Sequence, residues 1–235
     1  MFAIYTRELK SYFLTPIGYT FCAMFLVVSG ILFAQSTLLA QSTSSMSVYF
    51  IELMFVFSIL LPLLTMKLLS EDRKSRTDQI LLTSPVSIFG IVAGKYLAAL
   101  TIFACTFVVN SFNFVLLGIY GTPNSLSIFI NILGLVLLGA AFIAIGLFLS
   151  SITENQLIAA VSAMGVNVAM LLVSMVAEEI NATWLRTVLK LFSVVDRFSP
   201  FTNQMLDVSA IVYYISLAAV FLFLTTRVIE KRRWS

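Results

Sequence analysis

The sequence predicts an all-α integral membrane protein: six transmembrane helices preceded by an amphipathic helix in the membrane interface. Hydrophobic residues fill 60% of the 235 positions and charged residues only 11%, with a mean hydropathy of +1.03. That leaves too little polar surface to cover a soluble globule of this length. The apolar residues also fall into six unbroken runs of about 19 residues or more, enough to cross about 30 Å of hydrocarbon as helix. A barrel strand would need only about ten residues, alternating in polarity.

At the N-terminus, Phe2, Tyr5, Leu9, Tyr12 and Phe13 recur at helical spacing, with Arg7, Lys10 and Ser11 off that face, until Thr15-Pro16 breaks the pattern. Residues 1–15 read either as an interfacial helix, with Tyr5, Arg7, Lys10 and Tyr12 at the membrane surface, or as an ordinary positive-inside anchor. The spans follow at 17–40, 48–69, 94–119, 126–149, 157–176 and 208–226. The first run is too long for the apolar core of a secretory signal and lacks a small-residue cleavage pattern, so it is expected to stay as a helix.

Six spans put both termini on one side, and basic residues choose which. With cytoplasmic termini, Arg7, Lys10, Lys67, Arg73, Lys74, Arg76, Lys95, Arg227, Lys231, Arg232 and Arg233 lie inside, and only Arg186, Lys190 and Arg197 outside. The net charge of +3 expresses this asymmetry, and no basic stripe interleaved with exposed aromatic residues points to nucleic acid.

Little catalytic chemistry is present. The chain has no histidine, which removes the commonest general base and metal ligand. Cys22 and Cys105 both fall inside spans, without metal-ligand spacing. Gly90-Ile91-Val92-Ala93-Gly94-Lys95 imitates a phosphate loop but is one residue short, with Tyr96 where Ser or Thr should bind magnesium. It reads instead as the start of the third span, with Lys95 snorkelling beneath it. No catalytic, cofactor or metal site is predicted, so the chain is not expected to be an enzyme.

The charged residues concentrate in the loop 70–93. Glu71–Gln79 is charged, Ile80-Leu81-Leu82 is apolar, and Thr83-Ser84-Pro85 punctuates the segment. A short helix ending at Pro85 would turn Arg73, Arg76, Thr77 and Ile80 to the cytoplasm as a knob that docks into a partner. The same residues also read as a solvated loop that only sets topology.

Within the spans, Gly139, Ala140, Ala144 and Gly146 in the fourth, and Ala159, Ala160, Ala163 and Gly165 in the fifth, permit close helix packing. Glu52 is the acidic residue inside the second span, either snorkelling or lining a path. Pro62 in the same helix reads either as a hinge or as a bend around its neighbours. Asn110, Asn113 and Asn167 read as interhelical hydrogen-bonding groups or as a polar track. In the external segment 177–207, Trp184, Leu185, Val188, Leu189, Phe192 and Val195 form an apolar helical face with Arg186, Lys190 and Asp196 off it. That segment reads as re-entrant, or as an interfacial helix sealing the bundle.

Several motifs carry a resemblance. Glu71, Arg73, Thr77, Leu81-Leu82, Pro85-Val86 and Gly94-Lys95 resemble the pattern E-x-R-x-x-G-T-x-x-x-L-L-x-x-P-V followed by G-K of ABC-2 type exporter permeases. Arg7-Glu8-Leu9-Lys10-Ser11-Tyr12-Phe13 with Pro16-Ile17-Gly18-Tyr19, Ser151–Gln156 and Arg232-Arg233-Trp234 are similar to the same family. More narrowly, the chain resembles its gliding-motility-associated permease subunit.

The resemblance implies a multi-pass permease of the bacterial cytoplasmic membrane that exports substrate. It implies a second permease, identical or different, and separate ATPase subunits that bind ATP and magnesium. It makes Glu71, Arg73, Lys74, Arg76 and Thr77 candidate ATPase-coupling residues, with Thr153, Glu154 and Asn155 as a smaller second contact. Arg76 stands where the family usually has Gly, so a more helical turn is expected there. Asn203-Gln204 stands where relatives often carry Arg-Gly. A secondary transporter or channel would need a more polar core, and an anchor recruiting an ATPase to a cell-envelope machine differs from an exporter only in lacking flux.

Overall fold

The computed structural model describes residues 1–39, 47–77, 87–120, 124–180 and 183–233. Its elements are α1 (Phe2–Leu14), α2 (Pro16–Phe33, continued by a π-helical segment Ala34–Leu39), α3 (Ser47–Thr65), α4 (Lys67–Lys74), α5 (Ile88–Asn110), α6 (Phe112–Tyr120), α7 (Ser125–Ile152), α8 (Gln156–Glu179), α9 (Thr183–Phe192), α10 (Val194–Thr202) and α11 (Val208–Arg233). Among the described residues, six helices are long and apolar enough to cross a membrane. No strand occurs among the described residues.

Local chemistry sets the helix starts. Thr15 is extended and Pro16 opens α2, where its missing N–H and fixed φ suit the first turn. The side chains of Ser87, Asn124, Asn155 and Ser193 accept hydrogen bonds from the first-turn amides of α5, α7, α8 and α10, satisfying donors a helix start leaves open.

Helices α3 and α7 form the centre, and α2, α5, α8 and α11 surround them. Phe25 of α2, Phe57 of α3, and Phe103 and Phe107 of α5 bring their rings within 5.0–6.2 Å of one another. Two predicted small residues permit the closest approaches: a Cβ on Gly139 would overlap the Phe103 ring, and one on Gly146 would stand 2.9 Å from Thr65 Cβ. Gly165 differs, because nothing lies within 4 Å of its would-be Cβ; that glycine faces outward. Pro62 lies inside α3, which runs on past it to Thr65 before a turn at Met66.

The helices outrun the hydropathy windows. The third span starts at Ile88 rather than 94 and breaks at Ser111, while the fourth, fifth and sixth reach Ile152, Glu179 and Arg233. Polar residues ended the windows, but not the backbone hydrogen bonding. The loop 70–93 is accordingly shorter than predicted, since α4 and the start of α5 occupy its ends. Its middle, 78–86, with Ile80 and Pro85, lies outside the described residues.

At the end of the bundle away from the termini, α9 and α10 occupy Thr183–Phe192 and Val194–Thr202 of the segment 177–207, whose start belongs to α8. Phe198 and Phe201 of α10 pack on Gly134 of α7, and Tyr214 of α11 donates a 3.0 Å hydrogen bond to the Val194 carbonyl.

Candidate functional site

At the terminal end, Glu8 and Asp72 converge on Lys95. This residue lies two turns inside α5, is 1% exposed, and does not snorkel as predicted. Its ammonium sits 2.9 Å from Glu8 Oε1 of α1 and 2.7 Å from Asp72 Oδ2 of α4. Arg7 adds a third side to the cluster, 3.1 Å from Glu8 and 3.7 Å from Asp72. Two carboxylates thus offset the desolvation of the buried ammonium, and the half-exposed guanidinium balances the second negative charge, the condition under which such a charge is tolerated.

This cluster corrects the expected face of α1. Ile4, Glu8 and Tyr12 face the bundle, whereas Phe2, Phe13 and Leu14 are exposed. Glu8 turns inward because its partner Lys95 lies inside. Tyr12 is fully buried and donates a 2.7 Å hydrogen bond to the Leu64 carbonyl of α3. Burial, then the charges of Glu8 and Glu71, holds its phenol well above the usual value, so it remains a donor. Tyr5 hydroxyl lies 3.1 Å from Thr101 Oγ1 of α5. Tyr5 and Tyr12 therefore tie α1 to the bundle, while Lys10 is exposed. Lys67 reaches back to Ser11 and Thr15 at 3.3 and 3.0 Å and lies over the Tyr12 ring.

The segment after α3 is built around Asp72. While its Oδ2 meets Lys95, its Oδ1 accepts from Thr77 Oγ1 at 2.9 Å. Arg76 has φ 57°, the left-handed conformation that glycine adopts without strain. The turn is therefore not more helical, as the missing glycine led us to expect: Arg76 takes the glycine conformation itself. Glu71, Lys74 and Arg76 are exposed.

Arg73 points elsewhere. It donates to the Ile152 carbonyl at 2.6 Å and pairs with Glu154 at 2.9 Å, so it braces α4 against the connection between α7 and α8 instead of facing the cytoplasm as predicted. Thr153 and Asn155 belong to that connection, where Thr153 Oγ1 accepts from the Asn155 amide at 3.2 Å. Ser150 of α7 accepts from the Leu69 and Ser70 amides, both at 3.1 Å. Arg232 of α11 donates to the Ser151 carbonyl. A cleft lined by Met66, Lys74, Glu154, Asn155, Gln156 and Leu157 opens beside α4. Of the predicted coupling residues, Lys74, Glu154 and Asn155 thus share this cleft, whereas Glu71 and Thr77 line a second one with Glu8, Asp72 and Lys95. Glu8, Asp72 and Lys95, which the sequence reading did not place with them, supply the foundation of the site.

The polar residues predicted within the spans divide. Asn110 accepts from Ser29 at 2.7 Å and from Asn113 at 3.0 Å, and donates to the Tyr49 hydroxyl at 3.1 Å, joining α2, α3, α5 and α6. Asn167 is fully buried on α8, and neither amide atom has a hydrogen-bond partner among the described residues. Glu52 is half-buried, and its Oε2 also lacks one.

The family described as ABC-2 family transporter protein matches residues 33–228. The match is to the family as a whole and does not distinguish the gliding-motility-associated subgroup. Comparison with curated proteins gave no match. The sequence match covers most of the chain, and the fold is helical with six membrane-length helices: the protein belongs to the ABC-2 transporter family, whose members are membrane permease components of ABC transporters.

Proposed function

We propose that this chain is the permease subunit of an ATP-driven exporter, and that α4 with the 153–155 connection receives the movement of a separate ABC ATPase. The observation that carries this reading is the Glu8–Lys95–Asp72 cluster. The exposed contact elements rest on a charge cluster that extends into a membrane-spanning helix. A displacement of α4 acts directly on α5 and α1, because Lys95 cannot leave one carboxylate without exposing an unpaired buried charge. The ATPase can thus bias a two-state bundle through differential contact with its two states.

In this reading the termini and α4 are cytoplasmic and the chain lies in a bacterial inner membrane. ATP and magnesium are held by the ATPase, and a second permease, identical or different, completes the pathway. The exposed residues Glu71, Lys74 and Arg76 meet the ATPase, whereas Arg73 holds the surface in shape from behind. Asn110, Asn113, Asn167 and Glu52 are our candidates for groups along the path.

Co-purification in mild detergent with its ABC ATPase subunit tests the proposal. Wild type is expected to capture the ATPase, and the Lys74→Glu/Arg76→Glu variant to lose it while eluting normally on its own. Undiminished capture by that variant would refute docking on this surface.

A further inference from the structure

The three basic residues assigned to the non-terminal side, Arg186, Lys190 and Arg197, lie on the paired helices α9 and α10. Arg186 and Lys190 are exposed one turn apart on α9, an i,i+4 pair of like charges that repel, and neither has an ion pair among the described residues. Between the helices is a cavity of about 460 Å³ lined by Thr187, Lys190, Asp196, Arg197 and Ser199. That size falls within the roughly 300–1,000 Å³ of small-ligand sites.

The site is held in place from below. Arg197 donates to Ser209 Oγ of α11 at 3.0 Å, and its guanidinium lies 5.7 Å from the Tyr213 ring centroid. Ser193 caps α10 through the Asp196 amide at 3.1 Å, fixing the backbone from which the Asp196 carboxylate projects. Trp184, 72% exposed on the same α9, has the amphipathic ring that settles at the level of lipid headgroups.

We propose that this cavity binds the headgroup of a phosphoethanolamine lipid in the leaflet away from the termini. The phosphate lies between Lys190 and Arg197, with the Thr187 and Ser199 hydroxyls beside it, and the primary ammonium donates to Asp196. Two cations, two hydroxyls and one carboxylate match a zwitterion that carries both a phosphate and an N–H donor. A phosphatidylglycerol headgroup offers Asp196 only neutral hydroxyl donors in place of an ammonium, and a phosphocholine headgroup has no N–H to give it. Charge-assisted hydrogen bonds supply the discrimination.

Native mass spectrometry of the full chain, released from nanodiscs holding phosphatidylethanolamine, phosphatidylcholine and phosphatidylglycerol in equal amounts, tests this. Wild type is expected to retain phosphatidylethanolamine over phosphatidylcholine by about tenfold or more, the effect of one hydrogen bond to a charged group. Asp196→Asn should abolish that preference. Lys190→Gln should weaken retention of all three lipids, and Lys190→Arg should restore it. The proposal is overturned by equal retention in wild type, by a preference that survives Asp196→Asn, or by a preference for phosphatidylglycerol. It is equally overturned if inorganic phosphate alone displaces the lipid, since the site would then be a simple anion site.

Discussion

Replacing Lys95 by Met removes one cation and keeps most of the side-chain volume. In wild type the ammonium contacts Glu8 and Asp72, whose side chains are only 9% and 14% exposed. Deleting one member of a buried charged group costs about 3–5 kcal/mol, because the partners remain desolvated and unpaired. Arg7 stays near both carboxylates and offsets part of the loss, which places the expected cost near the lower limit, about 3 kcal/mol. At about 1.4 kcal/mol per factor of ten, the docking equilibrium of α1 should fall by about two orders of magnitude. Hydrogen exchange read by mass spectrometry reports this as faster exchange across Phe2–Leu14, with α7 unaffected. The triple variant Glu8→Gln/Asp72→Asn/Lys95→Met removes the stranded charges and should recover most of the protection. Exchange of α1 unchanged in Lys95→Met would refute the claim that this ion cluster holds the helix in place.

Other substitutions test other parts of the structure. Arg76→Gly should raise the thermal midpoint, since a non-glycine residue at φ 57° is strained by about 1–2 kcal/mol, partly offset by glycine's greater freedom when unfolded. Gly146→Ala should destabilise by about 1–3 kcal/mol through overpacking against Thr65. Gly165→Ala, facing open space, should be neutral or stabilising by up to about 1 kcal/mol; thermal unfolding in detergent compares the two. Asn110→Ala leaves Ser29, Tyr49 and Asn113 without their shared partner and should cost about 1–3 kcal/mol in the same assay. Because the buried Tyr12 phenol titrates above its ordinary value of 10.0, its contribution is complete below that pH. It declines as pH rises from there toward the folded-state value, so Tyr12→Phe should flatten the stability loss measured above pH 10.

The spans were legible because hydrocarbon length and hydropathy act over many residues at once, and no single position decides them. Helices α7 and α8, capped by Asn124 and Asn155, begin within a residue of the fourth and fifth apolar runs. The foundation of the candidate site was hidden by the same averaging. Glu8 had no visible partner in its own segment, and Lys95 resembled a snorkelling flank. Their opposite charges, 87 positions apart, cancel only once the fold brings them together. The direction of Arg73 was not legible in its own loop, since its partner Glu154 lies in the other connection. For Arg76 the missing glycine suggested a change of turn, whereas neighbouring contacts through Thr77 and Asp72 maintain the turn and impose the left-handed backbone.

The central claim is that ATPase movement reaches the membrane helices through Lys95, and exposed Cys105 on α5 offers a native reporter. With Cys22 replaced by Ser, an environment-sensitive fluorophore on Cys105 would be followed in nanodiscs as ATP is added to the permease assembled with its ATPase. The account predicts an ATP-dependent signal with Lys95 intact, and continued ATP hydrolysis without that signal in Lys95→Met. An equal signal in both would contradict it.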